Sequence, residues 1–339
     1  MASPRDWSER IGRRVKLRDL HILLSVAQTG SMGKAASDLA VSQPVVSKAI
    51  ADLEHALKVR LLDRSPRGVE LTLYGREVLK CGTAVFDELR KGVEALEFLS
   101  DPGSGELRVG CTEPLAAGFV GTIVSRLTRQ FPRASFKLIT ADPFGLRDRE
   151  LQQRSVDLVV TPTESMASSQ DVHVEVLFDD RQVIMAGANS KWARRRSLRL
   201  DELMKERWFA PPPDSPIGGY IADCFRAAGF ELPRARVTSF SVPLCFRMVE
   251  QEGFLAMLPI SMLAEDTPWR LRTLHVEAPH VPRPTGILTL RNRTLTPLAE
   301  EFIAAARMSA KPLAKTGRYP SSFFSSSRNA GAISSRSSA

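Results

Sequence analysis

The sequence predicts an α/β protein in three parts: an N-terminal winged helix-turn-helix, a long linker helix and a two-subdomain α/β domain. Three observations lead to this prediction. Within Leu17–Thr72, short amphipathic helices meet at a tight turn and a basic hairpin follows them. Tyr74–Leu99 is a long helical pattern without proline. Beyond it, short apolar strands alternate with helices, which is typical of α/β layers.

The first two helices of the N-terminal region are separated by a glycine turn. Thr29-Gly30 ends the first helix because Gly reaches the left-handed conformation without steric cost. Ser31 can cap the second helix, Met32–Leu39. The apolar stripe of the first helix is predicted on Leu17, Leu20, Leu24 and Ala27, and the inward face of the second on Ala35, Ala36 and Leu39.

The third helix follows after two residues, Ala40-Val41, which makes the pair a helix-turn-helix. Ser42 can cap it, and its predicted inward face is Val46, Ala49, Ile50, Leu53 and Leu57. The opposite arc carries Pro44, Ser47, Lys48 and Ala51, with Gln43 in the first turn. Gln and Lys pair with base edges, and Pro and Ala leave room for thymine methyl groups. The alternative is an ordinary amphipathic helix with a solvated face.

A hairpin, or wing, follows the third helix. Two extended runs in Val59–Thr72 flank a Ser-Pro-Arg-Gly turn, where Arg64 and Arg67 suit phosphate or minor-groove contact. The predicted DNA contacts are therefore Ser31, Ser42, Gln43, Pro44, Ser47, Lys48, Arg64 and Arg67.

The segment GSMGKAASDLAVSQPVVSKAIADLEHALKVRLLDRSPRGVELTLYGREVL resembles the winged helix-turn-helix of LysR-type transcriptional regulators. Ser42, Gln43, Pro44, Ser47 and Lys48 match the recognition-helix motif of that family, although Arg is commoner at the last position. The resemblance implies a bacterial, sequence-specific regulator, and the nearest branch contains regulators of sugar and aromatic-acid catabolism.

The net charge of +9 does not by itself indicate nucleic-acid binding, because more than half of it lies in the last 31 residues. That segment has ten serines and no acidic residue, so we predict a disordered tail over residues 309–339. The N-terminus has no apolar core of a signal peptide and no apolar run is long enough for a membrane span, so we expect a cytoplasmic protein.

The long helix carries a heptad seam on Leu79, Gly82, Phe86, Leu89, Val93 and Leu96. We predict that two copies pair along it to form a homodimer, and that dimers assemble into a tetramer. The alternative is packing against the chain's own α/β domain. Asp101-Pro102-Gly103 ends the helix in a hinge. The predicted boundaries are 15–73 for the DNA-binding domain, 74–102 for the linker and 103–308 for the α/β domain.

The α/β region resembles the periplasmic-binding-protein-like effector domain of the same family, through FPRASFKLI, LRDRELQQRSVDLVVT and CFRMVEQEGFLAMLP. Its alternating elements favour parallel strand pairing. We predict subdomain I over residues 106–180 and 282–308, and subdomain II over 181–281. Glu113-Pro114 departs from the family, which often places a small hydroxyl residue there.

A small-molecule effector is expected where the carboxyl ends of strands face a crevice. The predicted contacts are Thr112, Glu113, Thr140, Phe144, Thr161, Ser215, Ser239 and Ser241. Helix N-termini near Pro114 and Pro216 favour an anionic or hydroxyl-rich ligand, but Glu113 opposes an acid, which keeps a neutral polar molecule open. Each hydroxyl could instead cap a helix or stabilise a turn.

The partners expected from the sequence are double-stranded DNA, the effector, a second copy of the chain and RNA polymerase. We predict no catalytic site, cofactor or metal: the first strand lacks a glycine-rich phosphate loop, and the four cysteines and five histidines lack ligand spacing. The alternative function is a cytoplasmic small-molecule-binding α/β protein, or an enzyme, with an incidental helix-turn-helix.

Overall fold

The computed structural model describes residues 14–65, 68–101, 103–164, 171–262, 269–276 and 281–315. The chain divides into two compact units. The first comprises Met1–Ser100 with Gln153–Ser155, and the second comprises Asp101–Gln152 with Val156–Ala339. Among the described residues, no helix combines the length and apolar character needed to cross a bilayer.

Three helices form the start of the first unit: α1 (Leu17–Thr29), α2 (Met32–Asp38) and α3 (Gln43–Leu57). Gly30 ends α1 in the left-handed conformation, with φ of 66°, and its N–H donates to the Val26 carbonyl. The Ser31 hydroxyl accepts from the Lys34 N–H and so caps α2 as predicted. Ser42 occupies the N-cap position of α3, but its side chain makes no capping hydrogen bond, so this part of the prediction is wrong.

The core of this unit lies between the three helices. Val46, Ile50 and Leu53 of α3 are fully buried, and Ala35 and Ala36 of α2 let the helices approach closely. The predicted stripe of α1 is confirmed only in part. Leu20 packs against the core, but the buried residues are Ile22, Leu23 and Val26, and Leu17 is 48% exposed. α1 is apolar on more than one side. The side that carries Leu20 contacts the linker helix described below.

The wing is an antiparallel pair of strands, β1 (Leu62–Ser65) and β2 (Gly68–Leu71). The Glu54 carboxylate accepts from the N–H groups of Leu61 and Leu62, which fixes the turn between α3 and β1. The Val69 N–H donates to the Gly30 carbonyl over 3.1 Å and ties the wing to the turn between α1 and α2. Arg67 and the side chain of Arg64 lie outside the described residues.

The linker helix α4 runs over Leu73–Ser100, one residue longer at each end than predicted. The two halves of its seam differ. Gly82 is buried and lies beside Leu20 of α1, and the Phe86 ring lies 5.6 Å from that of His21. In the second half, Leu89, Val93 and Leu96 are 48–65% exposed. Only this half of the seam therefore remains available to a second copy.

The second unit contains two five-stranded sheets. The first has the order β4-β3-β5-β12-β6, formed by β3 (Ser104–Cys111), β4 (Arg133–Thr140), β5 (Leu158–Pro162), β6 (Val172–Asp179) and β12 (Pro284–Leu290). β3 pairs in parallel with β4 and β5, but β12 is antiparallel to both β5 and β6. The expectation of parallel pairing is thus wrong for β12, which returns from a distant part of the chain.

The second sheet has the order β11-β7-β10-β8-β9. Its strands are β7 (Gln182–Gly187), β8 (Trp208–Ala210), β9 (Ala235–Thr238), β10 (Leu255–Pro259) and β11 (Leu271–Thr273). β10 pairs in parallel with β8, but β7 is antiparallel to both β10 and β11, so the expectation of parallel pairing is wrong for β7 too. The chain crosses between the sheets at residues 179–182 and again before β12.

Helices pack beside these sheets. Glu113–Leu115, Ala116–Val120 and Gly121–Gln130 are successive segments of α5, of which the middle one is a π-helical turn. Pro143–Gly145 and Leu146–Leu151 together form α6. The remaining helices are α7 (Leu200–Leu203), α8 (Pro216–Ala227), α9 (Val242–Gln251) and α10 (Pro297–Lys315). α10 continues past Met308 with Ala310 buried, so residues 309–315 are helical and the predicted disorder is wrong for them. Residues 316–339 of the predicted tail lie outside the described residues.

A buried ionic cluster stabilises the first sheet. Asp157 accepts from the backbone N–H and the guanidinium of Arg108, and from the guanidinium of Arg293. Burial alone would raise the pKa of Asp157, but the hydrogen bonds and charges of the two arginines lower it below its ordinary value. The carboxylate is therefore retained in its charged form within the core.

Gly118 allows α5 to approach the turn Ile260–Met262 that follows β10. A Cβ atom on Gly118 would overlap the Ser261 carbonyl oxygen and lie 2.6 Å from Cα of Met262. We predict that Gly118→Ala destabilises the protein by about 2 kcal/mol, because backbone must shift to admit the methyl group. Thermal unfolding followed by circular dichroism should show a melting temperature lower by roughly 5 °C.

Gly219→Ala is the matched control, since a Cβ there meets no atom within 4 Å and Ala favours a helix over Gly. Its melting temperature should equal or exceed that of the parent protein. Equal melting temperatures for both variants would contradict the close approach at Gly118.

Candidate functional site

The predicted DNA-reading arc lies on the solvent side of α3. Gln43, Pro44 and Lys48 are exposed, and Ser47 is half-buried. The Ser47 hydroxyl lies 3.4 Å from Sδ of Met32, so it has an intramolecular partner. Because the opposite face of α3 is fixed in the core, the exposed arc has a single orientation relative to α1 and α2.

The beginnings of α2 and α3 bring a further predicted side chain, Ser31, close to Gln43. A Cβ on Gly33 would lie 3.8 Å from Oγ of Ser31 and 3.9 Å from Oε1 of Gln43. Ser31 and Gln43 therefore flank the same exposed point, although they are remote in the sequence. Pro44 lies in the first turn of α3, where its missing N–H removes no helical hydrogen bond.

A second candidate site is a cavity of about 420 Å³ between the two sheets of the second unit. Residues from both sheets and from the starts of α5, α8 and α9 line it. Six of the eight predicted effector contacts are among the lining residues: Thr112, Glu113, Thr140, Ser215, Ser239 and Ser241. The rule that strand ends meet at a crevice thus locates the cavity correctly.

Three of these hydroxyl groups also stabilise the backbone. Oγ of Ser215 accepts from the Gly218 N–H at the start of α8, and Oγ of Ser241 accepts from the Leu244 N–H at the start of α9. Oγ of Ser239 accepts from the Ser241 N–H. The alternative roles that the sequence left open are therefore present: Ser215 and Ser241 cap helices, and Ser239 stabilises a turn.

Phe144 and Thr161 do not line the cavity. Phe144 is 44% exposed and lies under the Arg147 guanidinium, 5.5 Å from ring centroid to Cζ. Thr161 is fully buried within β5, and every other residue of this strand is buried as well. Their selection from the sequence rested on loop position alone, which does not fix the direction of a side chain.

Sequence reasoning missed the polar groups at the two crossings between the sheets. Gln182 and Arg283 line the cavity, and so does the buried Asp180. The run Asp179-Asp180-Arg181-Gln182 lies at the predicted boundary between the subdomains, which was the available signal. Asp180 accepts from the N–H of Ser261 over 3.1 Å and from its hydroxyl over 2.6 Å.

Burial raises the pKa of Asp180 from 3.8 to about 6, although the hydrogen bonds of Ser261 and the charge of Arg283 oppose the shift. Burial also raises the pKa of the Cys111 and Cys245 thiols to about 12, so both remain protonated near neutral pH. Among the described residues, no group of three or more His, Cys, Asp or Glu side chains is arranged to hold a metal ion.

Comparisons with known proteins assign the family. The model "Bacterial regulatory helix-turn-helix protein, lysR family" matches residues 17–76, and the model "LysR substrate binding domain" matches residues 100–311. The chain therefore belongs to the LysR family of transcriptional regulators, with a DNA-binding domain followed by an effector-binding domain.

Individual relatives agree with this assignment. Transcriptional dual regulator GltC of Bacillus subtilis (strain 168) is 26% identical over 291 residues, covering 85% of this chain and 95% of GltC. HTH-type transcriptional regulator GbpR of Azospirillum brasilense is 26% identical over 310 residues, covering 90% of this chain and 89% of GbpR. Among solved structures, a full-length OxyR variant from Pseudomonas aeruginosa gives a TM-score of 0.62 at 20% identity, covering 90% of this chain and 99% of OxyR. CbnR gives a TM-score of 0.56 at 17% identity, covering 87% and 99% of the two chains. These two structures share the fold.

The raised pKa of Asp180 predicts how stability depends on pH. Because the folded protein holds this proton more tightly than the unfolded chain, Asp180 contributes stability at low pH that is lost as pH rises from 3.8 to about 6. Asp180→Asn remains neutral throughout. The free energy of unfolding of Asp180→Asn, measured relative to that of the parent protein, should rise between pH 4 and pH 7 by at most about 3 kcal/mol.

Melting temperatures measured in steps across this range test the prediction, with the exposed Asp223→Asn as control. A constant difference between Asp180→Asn and the parent protein at every pH would show that Asp180 titrates normally.

Proposed function

We propose that the protein regulates transcription by reading a promoter sequence with α3, and that a small molecule in the cavity modulates this activity. The observation that carries the proposal is the two-sided character of α3. Val46, Ile50 and Leu53 are fully buried, while Gln43, Pro44 and Lys48 on the other side are free to enter a major groove.

Each predicted contact has a role that fits its chemistry. Gln43 pairs bidentately with an adenine edge, and Lys48 reaches guanine acceptors or a phosphate. Ser47 exchanges its contact with Met32 for a base or phosphate. Ser31 and Ser42 bind backbone phosphates near the starts of α2 and α3, where the helix dipole favours anions. Arg64 and Arg67 extend the contact from the wing.

The active form is proposed to be a homodimer. The exposed stretch of Leu89, Val93 and Leu96 on α4 is apolar and regularly spaced, which supports pairing with a second copy. A two-fold dimer presents two recognition helices to half-sites about one helical turn apart or a multiple of it. We further propose that dimers pair into tetramers, that the protein recruits RNA polymerase and that it acts in the cytoplasm.

Ligand binding in the cavity is proposed to change how dimers pair and thereby to change DNA bending. We also propose that the protein belongs to the branch that regulates sugar or aromatic-acid catabolism. The mostly apolar lining of the cavity favours an aromatic body over a sugar. A role as an enzyme is the competing proposal, and the relatives named as transcriptional regulators support the regulatory one.

DNase I footprinting on the intergenic DNA upstream of the protein's own gene tests the proposal. We predict two protected half-sites and an affinity that falls steeply with salt concentration. Gln43→Ala should weaken binding to that operator by about tenfold and leave binding to random DNA nearly unchanged, because the lost contacts are to a base.

Gln130→Ala, an exposed glutamine at the end of α5, serves as control and should bind like the parent protein. Equal losses on operator and random DNA for Gln43→Ala would contradict base reading by this residue. Uniform protection of any DNA by the parent protein would overturn sequence-specific regulation.

A further inference from the structure

We propose that the basic loop, residues 188–199 between β7 and α7, binds the phosphate backbone of duplex DNA without regard to base sequence. The inference goes beyond the proposed function, because it places a second DNA contact in the effector-binding domain, separate from α3. Three features of the basic loop carry it: the concentration of positive charge, the anchoring of the backbone and the polar character of every exposed side chain.

The positive charge of the α/β domain is concentrated at this loop. Residues 188–207, which include the basic loop and α7, contain seven Lys or Arg against three Asp or Glu. Residues 101–308 as a whole contain 26 against 25, so the rest of the domain has a net negative charge. A local excess of this kind creates a field that attracts a polyanion.

The cations of the basic loop are available to a ligand. Arg194 and Arg196 are exposed, and among the described residues neither guanidinium has a hydrogen bond or an ion pair. The other three cations pair with carboxylates on or beside α7, as Lys191–Glu206, Arg195–Glu202 and Arg199–Asp201. Exposed ion pairs of this kind stabilise a fold only weakly, so a phosphate can replace the carboxylate at little cost.

The backbone of the basic loop is fixed at both ends and in the middle. The Ala188 N–H donates to the Arg270 carbonyl over 2.8 Å, and the Leu198 N–H donates to the His275 carbonyl over 2.9 Å. Leu198 is buried, and Trp192 packs against the same hydrophobic cluster. Because the backbone is already ordered, the arginines between these points lose little freedom when they bind a ligand.

The basic loop suits a phosphate backbone better than a protein surface. Interfaces between proteins are centred on apolar and aromatic anchors. The two large apolar side chains of the loop, Trp192 and Leu198, pack against the core, and all of its exposed side chains are polar or charged. Guanidinium groups bind phosphate oxygens bidentately, and duplex DNA presents one negative charge per about 1.7 Å of its axis.

Removal of the two unpaired arginines tests the inference. Binding of the full-length protein to a random-sequence duplex of about 40 base pairs can be followed by fluorescence anisotropy over a range of salt concentrations. In Arg194→Ala/Arg196→Ala we expect an affinity about tenfold lower at roughly 0.1 M salt. The slope of log K against log salt concentration should become shallower by about 2, since each lost phosphate contact removes about 0.9.

Two further double variants serve as controls. Arg234→Ala/Arg236→Ala removes two exposed arginines of the same spacing on β9, at the opposite edge of the sheet from β11, and should bind like the parent protein. Arg194→Lys/Arg196→Lys keeps both charges and should keep the salt slope, although the bidentate contacts are lost. Thermal unfolding followed by circular dichroism checks that each variant is folded.

Three outcomes would overturn the inference. The first is a salt slope of Arg194→Ala/Arg196→Ala equal to that of the parent protein. The second is an equal change in Arg234→Ala/Arg236→Ala, which would show a general effect of net charge. The third is an unchanged DNA affinity with loss of binding to immobilised poly-glutamate, which would assign the basic loop to an acidic protein.

Footprinting of the same preparations on the operator separates this inference from the proposed function. Arg194→Ala/Arg196→Ala should protect the same half-sites as the parent protein, because base reading belongs to α3. If the parent protein gives no footprint while the difference in salt slope persists, sequence-specific reading is wrong and the phosphate contact of the basic loop stands.

Discussion

One face of α3 is buried, and this burial sets the orientation of the predicted DNA-reading surface on the opposite face. Val46, Ile50 and Leu53 have no exposed area, and together they fix the rotation of the helix about its own axis. A change of rotation would bring Gln43 and Lys48 toward the core and expose several apolar side chains. The small residues Ala35 and Ala36 on α2 make this packing close enough to be specific. Function at the surface is thus set by apolar contacts beneath it.

The second unit uses a different kind of constraint. Its cavity lies between two sheets. The chain crosses from one sheet to the other twice, and side chains at both crossings line the cavity. Asp180 lies at one crossing and is tied to Ser261 beyond β10, while Arg283 lies at the other and stacks on Tyr220 of α8. These contacts determine both the shape of the cavity and its electrostatic character. The residues that hold the sheets together therefore also line the cavity.

The sequence predicted the helix-turn-helix, the wing, the linker helix and most strands, because hydrophobic periods and caps are local signals. It failed where the position of a side chain depends on an element distant in the sequence. α1 has apolar residues on two sides, and the sequence does not show which side faces the core. In the structure, Leu20 lies beside Gly82 and His21 beside Phe86, so this side of α1 faces α4. The direction of β12 has no local signature either. β8 and β11 contain three residues each, too few for a pattern to be recognised.

At the candidate sites, too, local signals predict some residues, and others depend on elements distant in the sequence. The arc of α3 follows from helical spacing alone: Gln43, Pro44, Lys48 and Ala51 are exposed, whereas Ser47 is half-buried against Met32. Most loops at the cavity follow from the rule for strand ends, but Gln182 and Arg283 come together only in the folded chain. Thr161 and Phe144 lie in correctly predicted segments with side chains that point elsewhere.

Directed cleavage of operator DNA tests whether α3 enters the major groove. Iron-EDTA can be tethered to a cysteine placed at the exposed Ala51, in a chain whose exposed Cys81 is changed to Ser. We expect strand cleavage confined to the major groove at two positions about one helical turn apart or a multiple of it. The same reagent tethered at Gln130 should give no localised cleavage. Absence of localised cleavage from position 51, on DNA that the protein still binds, would show that α3 does not enter the major groove.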